Sequence, residues 1–204
     1  MPRPFAATAA ALTLGGLTLA SLTTGAGSAQ AQVAATVPAD SLAADVAAAT
    51  EAVSPRLIEW RRHLHQNPEL GFAEVNTAAY IAERLTAMGL EVRTGVGKTG
   101  VVAILRGGLP GEHVVALRSD MDALPVLEAT GEPFASTATG TYQGATVPVA
   151  HACGHDAHMA MLLGAAEVLS GMKDRIPGTV VFIFQPAEEG APPGEPLGGA
   201  ALMI

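Results

Sequence analysis

The stretch VVALRSDMDALP, residues 114–125, decides the fold class. Its first half is a short run of valine, alanine and leucine, typical of a buried strand, and its second half is a polar turn that ends in proline. A second apolar run, TVVFIF at residues 179–184, also leads into a polar loop. Because helical patterns bracket these runs, we predict an α/β domain with a largely buried, mostly parallel central sheet flanked by helices.

The other helices and strands are predicted from hydrophobic spacing and from capping signals. Ser54 and Asp156 precede helical patterns and are the predicted N-caps of two helices. Glycine and proline separate the apolar runs and mark the turns between strands. The elements predicted in this way are strands at residues 90–93, 101–105 and 114–117 and helices at residues 55–66, 76–88 and 157–172.

Composition limits the number of domains and the classes of partner. A chain of 204 residues with 49% hydrophobic residues has enough apolar material for one globular domain. Its formal net charge of -8 gives no general attraction to phosphate backbones or to anionic lipid. We therefore expect no nucleic-acid partner.

The N-terminus has the order of regions of a secretory signal peptide. Arg3 is followed by an uncharged stretch at residues 5–22 and by small residues that close on Ala31. We predict cleavage after Ala31, export to the periplasm or the extracellular space, and no membrane contact once residues 1–31 are removed. A retained anchor is the alternative, but this alanine-rich, glycine-interrupted core is weak beside the roughly 20 strongly apolar residues of a spanning helix.

Two boundaries follow within the predicted mature chain. Residues 32–54 are predicted to be a linker that runs into the first helix, and residues 55–204 to be the globular domain. We assign no chemistry to the linker.

Polar residues collect in three separate loops. Asp120 and Asp122 follow one predicted strand, Glu188 and Glu189 follow another, and the segment HACGHDAH at residues 151–158 opens a predicted helix. Each group taken alone is also typical of turns, caps or solvated loops. Ligands gather where strands of an α/β sheet end, so together the three loops predict one site at one sheet edge.

Cys153 is the only cysteine of the chain. In an oxidising compartment an unpaired thiol is either buried and inert or held by something other than sulfur. Thiolate and imidazole are ligands for zinc and other late first-row ions, and a carboxylate widens the choice toward manganese and cobalt. Gly154 gives the loop freedom to turn the side chains of Cys153 and His155 inward.

Four segments carry a resemblance to a known family. LRSDMDALPVLE (117–128), HACGHDAHMAMLLGAAEVL (151–169) and VVFIFQPAEEGAPPG (180–194) resemble three successive blocks of the metal-dependent amidohydrolases of the aminoacylase and carboxypeptidase G peptidase superfamily. The branch they resemble contains hippurate hydrolase and the indole-acetyl-amino-acid hydrolases. RRHLHQNPELGFAE (61–74) resembles the first helix and turn of that branch.

The resemblance implies roles for individual residues. Cys153, His155 and Glu189 correspond to metal ligands, Glu188 to the general base, and Asp122 to the carboxylate that orients a metal-bound imidazole. Two divalent ions per site are implied by analogy, and zinc, manganese, cobalt and nickel all remain open. Four further motif members are candidates for supporting the ligands: Asp120, His151, Asp156 and His158.

The implied activity is hydrolysis of the amide bond of N-acyl amino acids, or of related small amides and peptides, by a metal-activated water with a glutamate base. The implied fold is a zinc-peptidase-like catalytic domain. Family members continue beyond the position of Ile204 with further ligand histidines and an inserted dimerisation (lid) domain. We therefore expect the chain to be the N-terminal part of the catalytic domain, with any homodimer formed through the missing domain.

Two other functions stay open at this point. The first is an inactive, truncated fragment that binds metal without turnover. The second is a thiol hydrolase with Cys153 as nucleophile and a nearby histidine as base, although it leaves the four carboxylates of the other two loops without a role.

Overall fold

The computed structural model describes residues 39–204, so the predicted signal peptide and most of the predicted linker start lie outside the described residues. The helices are α1 (Ala39–Gln66), α2 (Val75–Ala87), α3 (His155–Gly171) and the short α4 (Gly199–Met203). The strands are β1 (Glu91–Val96), β2 (Gly100–Arg106), β3 (Leu109–Asp120), β4 (Thr139–Tyr142), β5 (Ala145–Pro148) and β6 (Pro177–Gln185). A single 3-10 turn, Lys173–Arg175, lies between α3 and β6.

The larger sheet has the strand order β1-β2-β6-β3, and only the pairing of β3 with β6 is parallel. The α/β class is confirmed, but the expectation of a mostly parallel sheet is corrected to a mixed sheet. The reason lies in the connections. β1 and β2 are joined by a tight turn at Gly97 and Lys98, both with positive φ, and a tight turn can only join antiparallel strands. β3 and β6 are separated by α3, which gives the long crossover that a parallel pair requires.

The core lies between the helices and one face of this sheet. α1 packs along α3, α3 packs on β3 and β6, and α2 packs on β1 and β2. The strands at the two ends of the order, β1 and β3, are largely exposed, with Val114 and Val115 of β3 at 67% and 54% exposure. The sheet is therefore less buried than predicted. Residues that bury their side chains completely in the core include Ile81, Leu85, Val101, Leu163, Phe182 and Phe184.

Both predicted N-caps are wrong. α1 starts at Ala39 rather than Pro55, because the alanine-rich sequence before Ser54 has high helix propensity. The Ser54 hydroxyl donates back to the carbonyl of Thr50 at 2.9 Å. At α3 the residue before the helix is Gly154, with a φ of 89°, and Asp156 lies inside the first turn.

One feature of the described chain was not predicted from its pattern. β4 and β5 form a separate antiparallel pair beside the main sheet. Between residues 39 and 204, no helix has both the length and the apolar character that a bilayer-crossing segment needs.

Pro55 lies in the interior of α1 and its side chain is exposed. A proline there removes the hydrogen bond to the carbonyl four residues earlier, at a cost of up to about 3 kcal/mol relative to alanine. We expect Pro55→Ala to raise the free energy of unfolding by about 1–3 kcal/mol, measured by urea denaturation. Pro133→Ala, at an exposed loop position, is the control, and we expect no gain because no helix is interrupted there. An equal change in both variants would contradict the helical penalty at Pro55.

Candidate metal centre

The parallel pairing of β3 with β6 brings two acidic loops to the same edge of the sheet. Asp120, the last residue of β3, is in register with Gln185, the last residue of β6. The backbone N–H of Met121 then donates to the carbonyl of Gln185 at 2.9 Å. The carboxylates that follow each strand therefore start from adjacent positions.

Two groups of side chains at this edge could hold a metal ion. Ligand atoms of Cys153, His155 and Glu189 all lie within 4.8 Å of one another, and so do those of Asp120, His155 and Glu188. His155 belongs to both groups and is buried, whereas Cys153 and Glu189 are exposed. The imidazole of the buried His155, with the thiolate and the carboxylate on its open side, fits a divalent cation of the zinc type.

The ring of His155 is oriented by Asp122. The Nδ1–H of His155 donates to the backbone carbonyl of Asp122 at 2.8 Å, and Oδ1 of Asp122 lies 3.4 Å from the same nitrogen. Nε2 faces the other way, 3.7 Å from Oε2 of Glu188 and 4.0 Å from Oε1 of Glu189. This arrangement leaves Nε2 as the nitrogen available to a metal ion. The Asp122 side chain, together with its carbonyl, raises the pKa of His155 to about 9 against the opposing effect of burial.

Asp122 also holds the loop that follows β6. Its Oδ1 accepts the backbone N–H of Glu188 at 3.0 Å, and its Oδ2 accepts that of Glu189 at 3.1 Å. Burial acts to raise the pKa of Asp122, but the hydrogen bonds from His155 and from these two N–H groups outweigh it and lower the pKa. A carboxylate with this many donors stays ionised in a buried position.

The two adjacent glutamates face different donors. Glu189 belongs to the group with Cys153, and Glu188 belongs to the group with Asp120. Arg118 lies beside the second group, with Nη2 at 2.8 Å from Oδ1 of Asp120 and at 4.0 Å from Oε1 of Glu188. The two glutamates therefore belong to different groups that share His155.

Cys153 is exposed. This excludes one of the two alternatives from the sequence, an inert cysteine buried in the core. A hydrogen bond with Glu189, followed by burial and the charges of nearby carboxylates, raises the pKa of its thiol. Without a cation the sulfur keeps its proton more firmly than an ordinary cysteine does. A divalent cation would reverse that balance.

Four residues are candidates for supporting the metal ligands. Asp120 and His158 lie close to the ligand atoms, and His151 and Asp156 lie behind them. Nδ1 of His158 lies 3.4 Å from Oδ2 of Asp120, at the edge of the second group. His151 is buried, and within residues 39–204 neither ring nitrogen makes a hydrogen bond; burial lowers its pKa. Asp156 points away from the donors, toward Nε of Arg61 at 2.8 Å and Nδ1 of His65 at 2.7 Å. The roles of these four residues stay predictions.

His65 connects Asp156 to a loop on the other side. Its Nε2 lies 2.8 Å from Oε1 of Glu128, whose other oxygen accepts the backbone N–H of Ser136. This buried network ties α1, the first turn of α3 and the loop after β3 together. The sequence predicts a helix over residues 55–66, which includes His65, but it indicates no partner for that side chain.

Glu74 is a site residue that the sequence analysis missed. It is completely buried, its Oε1 accepts the backbone N–H of Ala187 at 2.9 Å, and its Oε2 accepts the hydroxyl of Thr99 at 2.6 Å. Ala187 precedes Glu188 and has a φ of 43°, which only glycine adopts readily. Glu74 thus holds the turn that presents both glutamates. Burial raises its pKa to about 6 despite these hydrogen bonds.

The mixed α/β fold and its cluster of thiol, imidazole and carboxylate groups at one sheet edge define a zinc-peptidase-like catalytic domain. Residues 116–204, which contain all three site loops, match the model of the Peptidase family M20/M25/M40. These residues therefore belong to that family, and the resemblance inferred from the motifs is confirmed.

Curated relatives agree with this assignment. An N-acyl-L-amino acid amidohydrolase of Geobacillus stearothermophilus is 46% identical over 154 residues, which cover 76% of this chain and 38% of the relative. Thermostable carboxypeptidase 2 of Saccharolobus solfataricus is 49% identical over 149 residues, which cover 72% of this chain and 35% of the relative. The chain thus spans between 35% and 38% of the length of these two relatives.

A solved structure shares the fold. The YXEP protein of Bacillus subtilis, described as a dinuclear metal binding peptidase from the M20 family, superposes with a TM-score of 0.60 at 44% identity. The match covers 68% of this chain and 36% of that protein.

The buried carboxyl of Glu74 makes stability depend on pH. Its pKa is raised on folding, from 4.5 to about 6, so its stabilising contribution is complete below about 4.5 and is lost as the pH rises through 6. We expect Glu74→Gln, which keeps an acceptor for Ala187, to gain on the order of 2 kcal/mol relative to wild type between pH 4.5 and 7. Chemical denaturation across this range measures the difference. Glu83→Gln on the exposed face of α2 controls for the loss of one negative charge, and a flat difference for Glu74→Gln contradicts the assignment.

Metal affinity should rise with pH. A cation takes neutral imidazole and thiolate, but His155 has a pKa of about 9 and the thiol of Cys153 has a raised pKa, so both must release protons. Between pH 6 and 8 we expect the apparent affinity for Zn²⁺ to increase by about tenfold or more per pH unit. Calorimetry in buffers of different ionisation enthalpy counts the protons released. Cys153→Ser should bind more weakly and release fewer protons, and unchanged binding would remove Cys153 from the ligand set.

Proposed function

We propose that the protein hydrolyses the amide bond of N-acyl amino acids, or of related small amides and peptides. The observation that carries this proposal is that ligand atoms of Cys153, His155 and Glu189 lie within 4.8 Å of one another, with Glu188 adjacent and outside that group. Such a site has both a place for a cation and a carboxylate free to move a proton. The amidohydrolase and carboxypeptidase names of the relatives support the same reaction class.

Cys153, His155 and Glu189 would hold the cation, and the description of the YXEP protein supports two ions per site. A divalent cation in this position acidifies water and polarises an amide carbonyl. The donor set accepts zinc, manganese, cobalt or nickel. His155 would bind through Nε2, because its Nδ1–H donates a hydrogen bond to the backbone carbonyl of Asp122.

Glu188 is the proposed general base and acid. Its side chain is 37% exposed at the open side of the site, with Oε2 3.7 Å from Nε2 of His155. It would accept a proton from the attacking water and deliver that proton to the leaving amine nitrogen. Asp122 acts behind it as a positioning residue, because it holds the backbone of Glu188 and the ring of His155 at once. No covalent intermediate with the protein is required.

We also propose three properties of the whole protein. Export through residues 1–31, a small-molecule substrate, and a homodimer formed through a further domain follow from the sequence and from the family.

Glu188→Gln tests the proposed base. The amide keeps the size of the side chain but cannot accept the proton, so we expect hydrolysis of N-acetyl amino acids to fall by about 10²–10⁴-fold. A cation held by Cys153, His155 and Glu189 should be retained, so elemental analysis should still find at least one metal ion per chain, because Glu188 belongs only to the second group, with Asp120 and His155. Glu132→Gln, at an exposed loop position, is the matched control. Turnover that survives in Glu188→Gln rejects this residue as the base.

The same assay separates the two alternatives. Removal of metal by a chelator should abolish hydrolysis, and adding Zn²⁺ or Mn²⁺ should restore it. A thiol hydrolase with Cys153 as nucleophile would keep its activity after the same treatment. A wild-type chain that binds metal and shows no hydrolysis would instead support the metal-binding fragment.

A further inference from the structure

The two residues before Glu188 form a buried turn. Pro186 and Ala187 connect the end of β6 to Glu188, and both are almost completely buried, with Ala187 only 1% exposed. Ala187 has a φ of 43°. A residue other than glycine keeps a positive φ only where its surroundings hold it there. The contacts around Ala187 therefore determine how the chain enters the segment that carries both glutamates.

Both polar backbone groups of Ala187 are bound by distant parts of the chain. Its N–H donates to Oε1 of Glu74 at 2.9 Å, and its carbonyl accepts the N–H of Gly199, the first residue of α4, at 3.1 Å. A Cβ at Gly199 would overlap the carbonyl oxygen of Pro186. Only glycine at residue 199 therefore lets α4 come close enough for this hydrogen bond.

The side chain of Ala187 is in contact with a second glycine. A Cβ at Gly71 would lie 3.1 Å from Cβ of Ala187 and 3.2 Å from its Cα, closer than the optimal separation of about 3.5–4.0 Å between carbon atoms. The φ of Gly71 is not positive, so an alanine fits its backbone and this contact is what opposes one. Residue 71 thus limits the position of the Ala187 methyl group.

The contacts of Ala187 complete those of Asp122. Asp122 accepts the N–H groups of the two glutamates, whereas the contacts described above hold the residue before them. Distances between a metal ion and its ligands tolerate only about ±0.2 Å. A displacement of Ala187 by a few tenths of an ångström would therefore be passed to Glu188 and Glu189 and would change how well Glu189 reaches a cation.

We propose that Gly71 and Gly199, together with Glu74, are positioning residues of the metal centre. They contribute no donor atom to either group of candidate ligands, and they act through Ala187. Their effect on metal binding does not depend on turnover, whereas their effect on the base, Glu188, rests on the proposed function.

The test moves one methyl group between residues 71 and 187 of the full 204-residue chain. Gly71→Ala pushes on Ala187, and we expect the affinity of the metal-free chain for Zn²⁺, measured by calorimetry, to fall about 10–100-fold. Gly71→Ala/Ala187→Gly removes the opposing Cβ and should recover the affinity to within about threefold of wild type. Ala187→Gly alone frees the turn and should weaken binding by about threefold. Gly171→Ala, at the exposed end of α3 where the added Cβ meets no neighbouring element within 4 Å, is the matched control and should leave the affinity unchanged.

A purely structural role predicts a different pattern. It would lower the free energy of unfolding of the metal-free Gly71→Ala chain, measured by urea denaturation, and leave the Zn²⁺ affinity of the folded chain unchanged. That result, or a loss that the methyl exchange does not recover, would overturn the proposal. If Gly71→Ala does not fold, Ala187→Gly decides, because a weaker Zn²⁺ affinity in that variant supports the proposal and an unchanged one contradicts it.

Hydrolysis of N-acetyl amino acids by the same variants at saturating Zn²⁺ separates this inference from the proposed function. We expect kcat of Gly71→Ala to fall and KM to change little, because the displaced group is the base. Altered Zn²⁺ affinity in a chain that does not hydrolyse these substrates would keep the positioning residues and reject the proposed function. Full hydrolysis and full Zn²⁺ affinity in Gly71→Ala would reject the positioning residues alone.

Discussion

The carboxylate of Asp122 is the constraint on which the rest of the site depends. Its two oxygens accept the backbone N–H groups of Glu188 and Glu189, and the backbone carbonyl of Asp122 accepts the Nδ1–H of His155. Asp122, in the loop after β3, thereby fixes both the loop after β6 and the start of α3. Without these hydrogen bonds the three loops would still lie at one sheet edge, but their ligand atoms would not be held at fixed distances from one another. Removing a hydrogen-bond donor from a buried carboxylate is costly, so a change in one of these loops affects the other two.

Further buried polar groups support this unit from behind. Glu74 holds Ala187 in its left-handed conformation, and Asp156 joins α3 to Arg61 and His65 of α1. Each of these carboxylates is satisfied by more than one donor, which is what burial of a charged group requires. The helices therefore do more than cover the sheet, because they carry the partners that keep the loops of the centre rigid.

Much of this arrangement can be predicted from the sequence, because the apolar runs and the three polar loops are local signals. The apolar runs locate β2 and β6, and the loops after β3 and β6 are placed where the candidate ligands are found. The direction of strand pairing is not local, and it was predicted wrongly. β4 is short and polar, so no alternation marks it. Glu74 and Ala187 are separated by 113 positions, so only the folded chain shows that they meet.

The exposed valines of β3 have a practical consequence for this chain in solution. Within residues 39–204, β3 pairs on one side only, with β6, so its other side presents free N–H and C=O groups next to Val114 and Val115. Such an edge is a template for pairing with a strand of another molecule. We therefore expect this edge to be one place where copies of the purified chain associate. Added charge at residues 114 and 115 is the substitution that would keep the chain soluble without touching the centre.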